Sequence, residues 1–162
     1  QYAQAGLKKE IPLYGPSFSL DQTVLPAMGD AAVGAFASTF WTEGFDNAQS
    51  KKFAKDFEAE YGRIPSPNAA QAYDGAFIID AALKATGSKL QDKAAFRKAL
   101  ENVKFDSVRG NFKFNTNHYP IQDFYLAEIE KDAQGRPIMV KRSLIVRDHA
   151  DSYAKDCKMP AS

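Results

Sequence analysis

The side chains of this sequence that could ligate a metal, attack a carbonyl or shuttle a proton are few, and their spacing suits none of those tasks. His118, His149 and Cys157 are the nitrogen and sulfur candidates of note. They form neither an HxxxH nor a CxxC pattern, so no metal site is expected. No serine stands in a Gly-x-Ser-x-Gly elbow, which would expose a nucleophile at a strand-to-helix turn, and no glycine-rich loop is built to cradle phosphate. Asp74 and Asp80 share one apolar stretch, where paired carboxylates could do acid–base work. On a helix their spacing turns them about 120° from each other, so they read as independent polar positions, each a helix cap or a hydrogen bond between packed segments. No catalytic residue and no cofactor is assigned, and the expectation is a protein that binds a small molecule without transforming it.

What remains is the chemistry of a cleft, and that depends on the elements that form it. Residues 11–14 read as a strand, and the loop Gly15-Pro-Ser-Phe-Ser-Leu-Asp21 leads into a short helix over 22–28 capped by Asp21. Open α/β sheets bind ligands beyond the carboxyl ends of their strands. Ser17 and Phe18 would therefore stand at the mouth of such a crevice, with an ST-turn inside the loop as the other role open to Ser17. Residues 33–40, small and β-compatible, read as a buried strand ending at Phe40 and Trp41.

Asp46 and Asn47 then cap a helix with Phe53, Ala54, Phe57 and Tyr61 at helical spacing, and Gly62 stops it. Pro65 and Pro67 lead into a longer helix whose apolar residues, from Ala69 to Ile79, run nearly all the way round, so it must be covered on most sides. Asp92 caps a third helix, and 110–114 alternates as a strand. Residues 121–129 and 137–146 alternate on either side of Lys131-Asp-Ala-Gln-Gly-Arg136 and read as a β-hairpin. A polar tail, 147–162, is expected to wrap the surface. The order implies an α/β fold with parallel pairing early and antiparallel pairing late.

Composition narrows the partners. Across 162 residues, 21 Lys and Arg face 20 Asp and Glu without a long basic run, so no cationic face is available for nucleic acid. No apolar run approaches the roughly 20 residues needed to span a bilayer. Residues 1–15 resemble the last turn of a helix closed by Gly6, followed by a strand, and lack the charged-then-apolar layout of a signal peptide. Such a start suits a piece of a longer chain better than a small domain with a short first helix. The lone Cys157 cannot build a disulfide framework; it is a free tail thiol or the partner of a cysteine elsewhere.

Residues 53–87 read FAKDFEAEYGRIPSPNAAQAYDGAFIIDAALKATG, followed by a helical run and then SVRGNFKFNTNHYPIQDFY over 107–125. This ordering resembles the C-terminal part of the type I periplasmic solute-binding proteins of branched-chain amino-acid ABC transporters, the leucine/isoleucine/valine-binding family, and within it the branch that carries aromatic acids. The resemblance implies a two-lobe fold of parallel sheets flanked by helices with a late β-hairpin. Residues 1–42 would belong to the C-terminal lobe, 43–120 would return to the N-terminal lobe, and 121–162 would supply a hairpin and tail to the C-terminal lobe. The crossings would fall near 39–43 and 119–123, and neither sheet would be complete without the missing N-terminal part of the protein.

Amino-acid binders of the family carry a Gly-Pro-acidic triplet after this first strand, whose carboxylate pairs with the ligand ammonium. Here the triplet is Gly15-Pro16-Ser17, and a hydroxyl cannot offset a buried ammonium. The resemblance thus implies a periplasmic protein that closes around a small organic acid, an aromatic carboxylate, and presents it to a membrane permease. Branched-chain amino-acid binding, or a ligand-responsive regulator of the same fold, are the alternatives. Trp41 would lie at a crossing, either facing the ligand or packing in the core or hinge. Asn68 aligns with a position that faces the ligand in the amino-acid binders; it would hydrogen-bond a ring substituent or cap its helix.

Overall fold

The structure, a computed structural model, describes residues 1–159. Its organising element is one long strand, β4 (Pro120–Lys131). One edge of β4 pairs first with β3 (Phe112–Phe114), through Phe112 opposite Gln122, and then with β2 (Phe36–Thr39), through Thr39 opposite Tyr125. The other edge pairs along its length with β5 (Pro137–His149), antiparallel. Only β1 (Tyr14–Pro16) pairs in parallel, with β2. The early-parallel, late-antiparallel expectation therefore holds in a single five-stranded sheet.

The hairpin turn has a local cause. Asp132 Oδ1 accepts from the Gln134 and Arg136 N–H groups, and Gly135 takes a φ of 79°, a left-handed conformation that a side chain would disfavour.

Three helices lie between β2 and β3. In α2 (Ala48–Tyr61) the Asn47 side chain accepts from the Ser50 N–H at 2.7 Å, and Gly62 closes the end at φ 64°. Asn47 is the cap here, while Asp46 is exposed and paired with Lys51. In α3 (Pro67–Ala85) Ser66 is the cap and Pro67 opens the first turn, where a missing N–H is harmless. Asp92 caps α4 (Lys93–Glu101) as expected.

Several strand and helix bounds differ from the sequence expectation. The first strand begins at Tyr14 and not at residue 11, because Pro12 has no N–H to offer and the pairing opens with the Phe36 N–H on the Leu13 carbonyl. The second starts at Phe36, after Gly34 turns the chain at φ 82°. The short helix α1 is confined to Leu25–Met28, since Asp21 Oδ1 folds back onto the Thr23 N–H and hydroxyl and holds 21–24 as a turn. Strand β5 also runs on to His149, into the segment expected to be tail; of that tail, 160–162 lie outside the described residues.

Two separate apolar clusters hold these elements. The first gathers Leu20, Leu25, Ala37, Ala127, Ile129 and Met139 around β2, β4 and β5. The second gathers Trp41, Phe45, Phe53, Ala70 and Val108, with Phe57, Tyr73 and Tyr125 packed against it. Each buried Leu, Ile or Phe contributes about 1.5–3 kcal/mol. The long helix α3 is not covered on most sides by this chain: Ala70, Asp74 and Ala82 are buried, but Ile79 is 52% exposed.

Candidate ligand-binding cleft

The parallel pair β1 and β2 ends with Pro16 opposite Ser38, so Ser17 leaves the sheet at its carboxyl edge beside Thr39, the last residue of β2, which still pairs with Tyr125 of β4. Ser17–Ser19 wind into a single 3₁₀ turn closed by the Leu20 N–H on the Ser17 carbonyl at 2.9 Å. Leu20 folds beneath this turn and would stand 3.4 Å from a Cβ placed at Gly15, so the glycine lets the loop close over the first cluster. Phe18 is left 67% exposed at the tip. The Ser17 hydroxyl makes no hydrogen bond among the described residues, so the ST-turn alternative is not formed. Asp21, the nearest acid in the loop, is buried and turned into Thr23.

Asn68 is the exposed residue in the first turn of α3, and its amide is unengaged among the described residues. Ser66 takes the capping role that was one alternative for Asn68. Trp41 sits elsewhere. It is fully buried, its indole N–H donates to the Ser50 hydroxyl at 2.8 Å, and its ring packs on Phe53 at 5.6 Å and Phe45 at 6.5 Å. Within this chain it packs the turn out of β2 and presents no surface to a ligand. The structure thus joins Ser17 and Phe18 in one loop, leaves Asn68 on a helix tip, and buries Trp41 between α2 and the strand end.

Two further features are foreseen by the sequence in part or not at all: Asp74 is expected to cap a helix or bond between packed segments, without its partners, and Glu43 is not singled out. The carboxylate of Asp74 accepts from the Ser107 hydroxyl (2.6 Å), the Val108 N–H (2.9 Å) and Arg109 Nε (2.7 Å), while Arg109 reaches Gln122 Oε1 on β4 at 2.8 Å. The guanidinium lies 4.2 Å from the Phe112 ring centre. Asp74 is therefore a hydrogen-bonding acceptor between packed segments, independent of Asp80, which pairs with Lys84 on the surface. Arg109 carried no signal, because a single Arg before a glycine has no distinctive pattern.

The second is Glu43, just past Trp41. Burial pushes its carboxyl up to about 7, against the partial relief of hydrogen bonds from its own backbone, the Met139 N–H and Gln22. Further along, Asp123 on β4 shows the opposite outcome. Burial works against its charge, but the Asp148 N–H at 2.8 Å, the Asn111 amide and the Tyr125 hydroxyl together outweigh it and hold the carboxyl below the usual range.

Residues 1–135 match the family described as periplasmic binding protein. The chain is 35% identical to a solute-binding protein of an R. palustris ABC transporter solved with benzoate, with a TM-score of 0.85 over 98% of this chain and 41% of that one. It is 28% identical to a second, from Rhodopseudomonas palustris BisB5, solved with 3,4-dihydroxybenzoic acid, at a TM-score of 0.82 over 93% of this chain and 41% of that one. A Leu/Ile/Val-binding protein homolog 6 of Brucella abortus is 29% identical over 139 residues, 83% of this chain and 35% of that protein. The chain thus spans well under half the length of the proteins it matches. Among the described residues, no helix is long and apolar enough to cross a membrane. With this mixed sheet, its flanking helices and these matches, the chain belongs to the periplasmic binding protein family and has the type I fold of ABC-transporter solute-binding proteins, which bind solutes and are not enzymes.

Proposed function

We propose that this chain is part of a periplasmic solute-binding protein that captures an aromatic carboxylate and presents it to an ABC permease. The observation that carries the reading is the unengaged Ser17 hydroxyl at the carboxyl edge of β1, with Phe18 exposed beside it and Asp21, the acid of the loop, buried and bonded to Thr23. A neutral donor and a ring suit a benzoate-like solute; an α-amino acid would bring an ammonium that nothing in this loop can pair. The benzoate and 3,4-dihydroxybenzoic acid bound by two similar proteins support the same class. Asn68 supplies an amide for a ring substituent, and the carboxylate is held by residues outside this chain.

In this reading residues 1–42 and 121–162 lie in one lobe, 43–120 in the other, and the solute is taken between them as the hinge closes. The first cluster is drawn from the flanking segments and the second mainly from 43–120, with Trp41 and Tyr125 joining it near the crossings, which is in keeping with that division. Trp41 acts as hinge packing. A second reading, a branched-chain amino acid as solute, draws on the Leu/Ile/Val-binding homologues. The test is thermal unfolding of the full-length protein with each solute, because a ligand at about 100 times its Kd stabilises by about 2.7 kcal/mol. Benzoate is expected to raise the melting temperature and leucine to leave it unchanged; the reverse pattern selects the second reading.

A further inference from the structure

Glu43 joins three segments from different parts of the chain beside the first cluster, to which Met139 belongs. Its Oε1 accepts from the Gln22 side-chain amide, in the loop that follows Ser17–Ser19, and from the Met139 N–H near the start of β5, both at 3.2 Å. Gln22 extends the tie by donating to the Pro137 carbonyl at 3.0 Å. Oε2 of Glu43 is buried with no donor among the described residues. Its immediate neighbour Thr42 and Gln22's neighbour Asp21 each bury a further oxygen in the same condition.

The charged groups on the segments that meet here offer little to an anion. Arg136, from the hairpin turn, is already held by Asp132 and by Glu58 of α2. Lys141 of β5 lies over the rings of Phe45 and Tyr125, at 4.9 and 5.2 Å. In the loop after β1 the charged residue is Asp21, itself an acid. A buried carboxyl that receives only neutral amides on one oxygen and no donor on the other is better accommodated as the uncharged acid, which escapes the cost of burying an unpaired charge.

We propose that Glu43 is a proton-operated positioning residue: protonated, it holds the loop after β1, the segment after β2 and the start of β5 as one unit, and on ionisation it releases them toward water. The upward displacement of its titration by burial agrees with this. The sign is fixed by linkage. A carboxyl that titrates higher when buried than when released favours the held state fully below its ordinary range, and that preference is lost as the pH rises to the buried value. Because Gln22 follows directly on the loop of Ser17 and Phe18, the latch bears on the cleft, yet it holds whatever the solute is.

The test uses the full-length protein, with no solute, labelled with ¹³C at the glutamate carboxyls. Glu43 is expected to titrate near 7. The protection of the Met139 amide against hydrogen exchange is expected to fall by up to about two orders of magnitude as pH rises toward that value, and to level off above it. Glu43→Gln keeps the Oε1 acceptor and cannot ionise, so it should hold the low-pH protection at every pH. A Glu43 titration in the ordinary glutamate range overturns the proposal, as does a loss of Met139 protection of the same size in Glu43→Gln. If that variant fails to fold, the wild-type titration decides alone.

Discussion

The side chains that matter most in this chain are those whose polar atoms are buried, and the sequence announces them unevenly. Asp74 accepts three hydrogen bonds, from Ser107, Val108 and Arg109, so its loss strands several buried groups at once. Asp74→Ala is expected to cost about 3–5 kcal/mol, more than Arg109→Ala, because the latter leaves the Ser107 and Val108 donors satisfied; urea unfolding of the full-length protein measures both. Trp41→Ala is expected to cost about 3–5 kcal/mol through the emptied core, with unchanged solute affinity in the folded fraction. An affinity loss without that stability loss would move Trp41 to the cleft. Glu43 and Asp123 respond to pH with opposite signs. Asp123, held low by its donors, stabilises above the ordinary carboxylate range and loses that contribution in acid. Glu43, raised from 4.5 to about 7, favours the fold below 4.5 and withdraws up to about 3 kcal/mol as pH rises to 7. Glu43→Gln is therefore expected to flatten the stability profile between those values, read by urea midpoints across that range.

Among the elements, helices were legible and short strands were not. Caps at Asn47 and Asp92 and the stop at Gly62 are local devices whose residue types state their purpose. A three-residue strand such as β1 is defined by its partner, and only the register against Phe36 shows that pairing opens after Pro12. Asn68 illustrates the limit: an Asn near a helix start suggests a cap, yet Ser66, one residue before the first-turn proline, has the position that reaches the Ala69 N–H. Two substitutions separate these roles. Asn47→Ala should lower stability by about 1 kcal/mol or more, since the side chain both caps α2 and donates to the Val108 carbonyl. Asn68→Ala should leave stability within about 0.5 kcal/mol, and an effect confined to binding is the expected result of titrating the full-length variant with benzoate. A stability loss at Asn68 equal to that at Asn47 would return it to the helix cap.

At the scale of the molecule, the sequence could place the loop of Ser17 and Phe18 because it follows a strand, but a cleft wall that the proposed reading assigns to residues outside this chain leaves no mark in it. The same reading bears on α3. An apolar surface that runs round most of a helix predicts cover, and the chain leaves Ile79 and its neighbours open on the side away from Trp41 and Phe53. What this chain does show is how two clusters are connected. Strand β4 serves both, contributing Ala127 and Ile129 to the first and Tyr125 to the second, while the Arg109–Gln122 bond ties the helical segment to the same strand. If these clusters are parts of two lobes, they should open as separate cooperative units. Native-state hydrogen exchange on the full-length protein tests this with one truncation in each. Ile129→Ala should cost about 2–5 kcal/mol and reduce protection in β2 and the second half of β4. Phe53→Ala should do the same in α2 and α3. Because β4 runs through both, its first residues, which pair with β3, should follow the Phe53 variant, and its last residues the Ile129 variant. Equal loss of protection throughout both clusters in either variant would mean that β4 couples them into one unit, and residues 43–120 would then not move as a separate lobe.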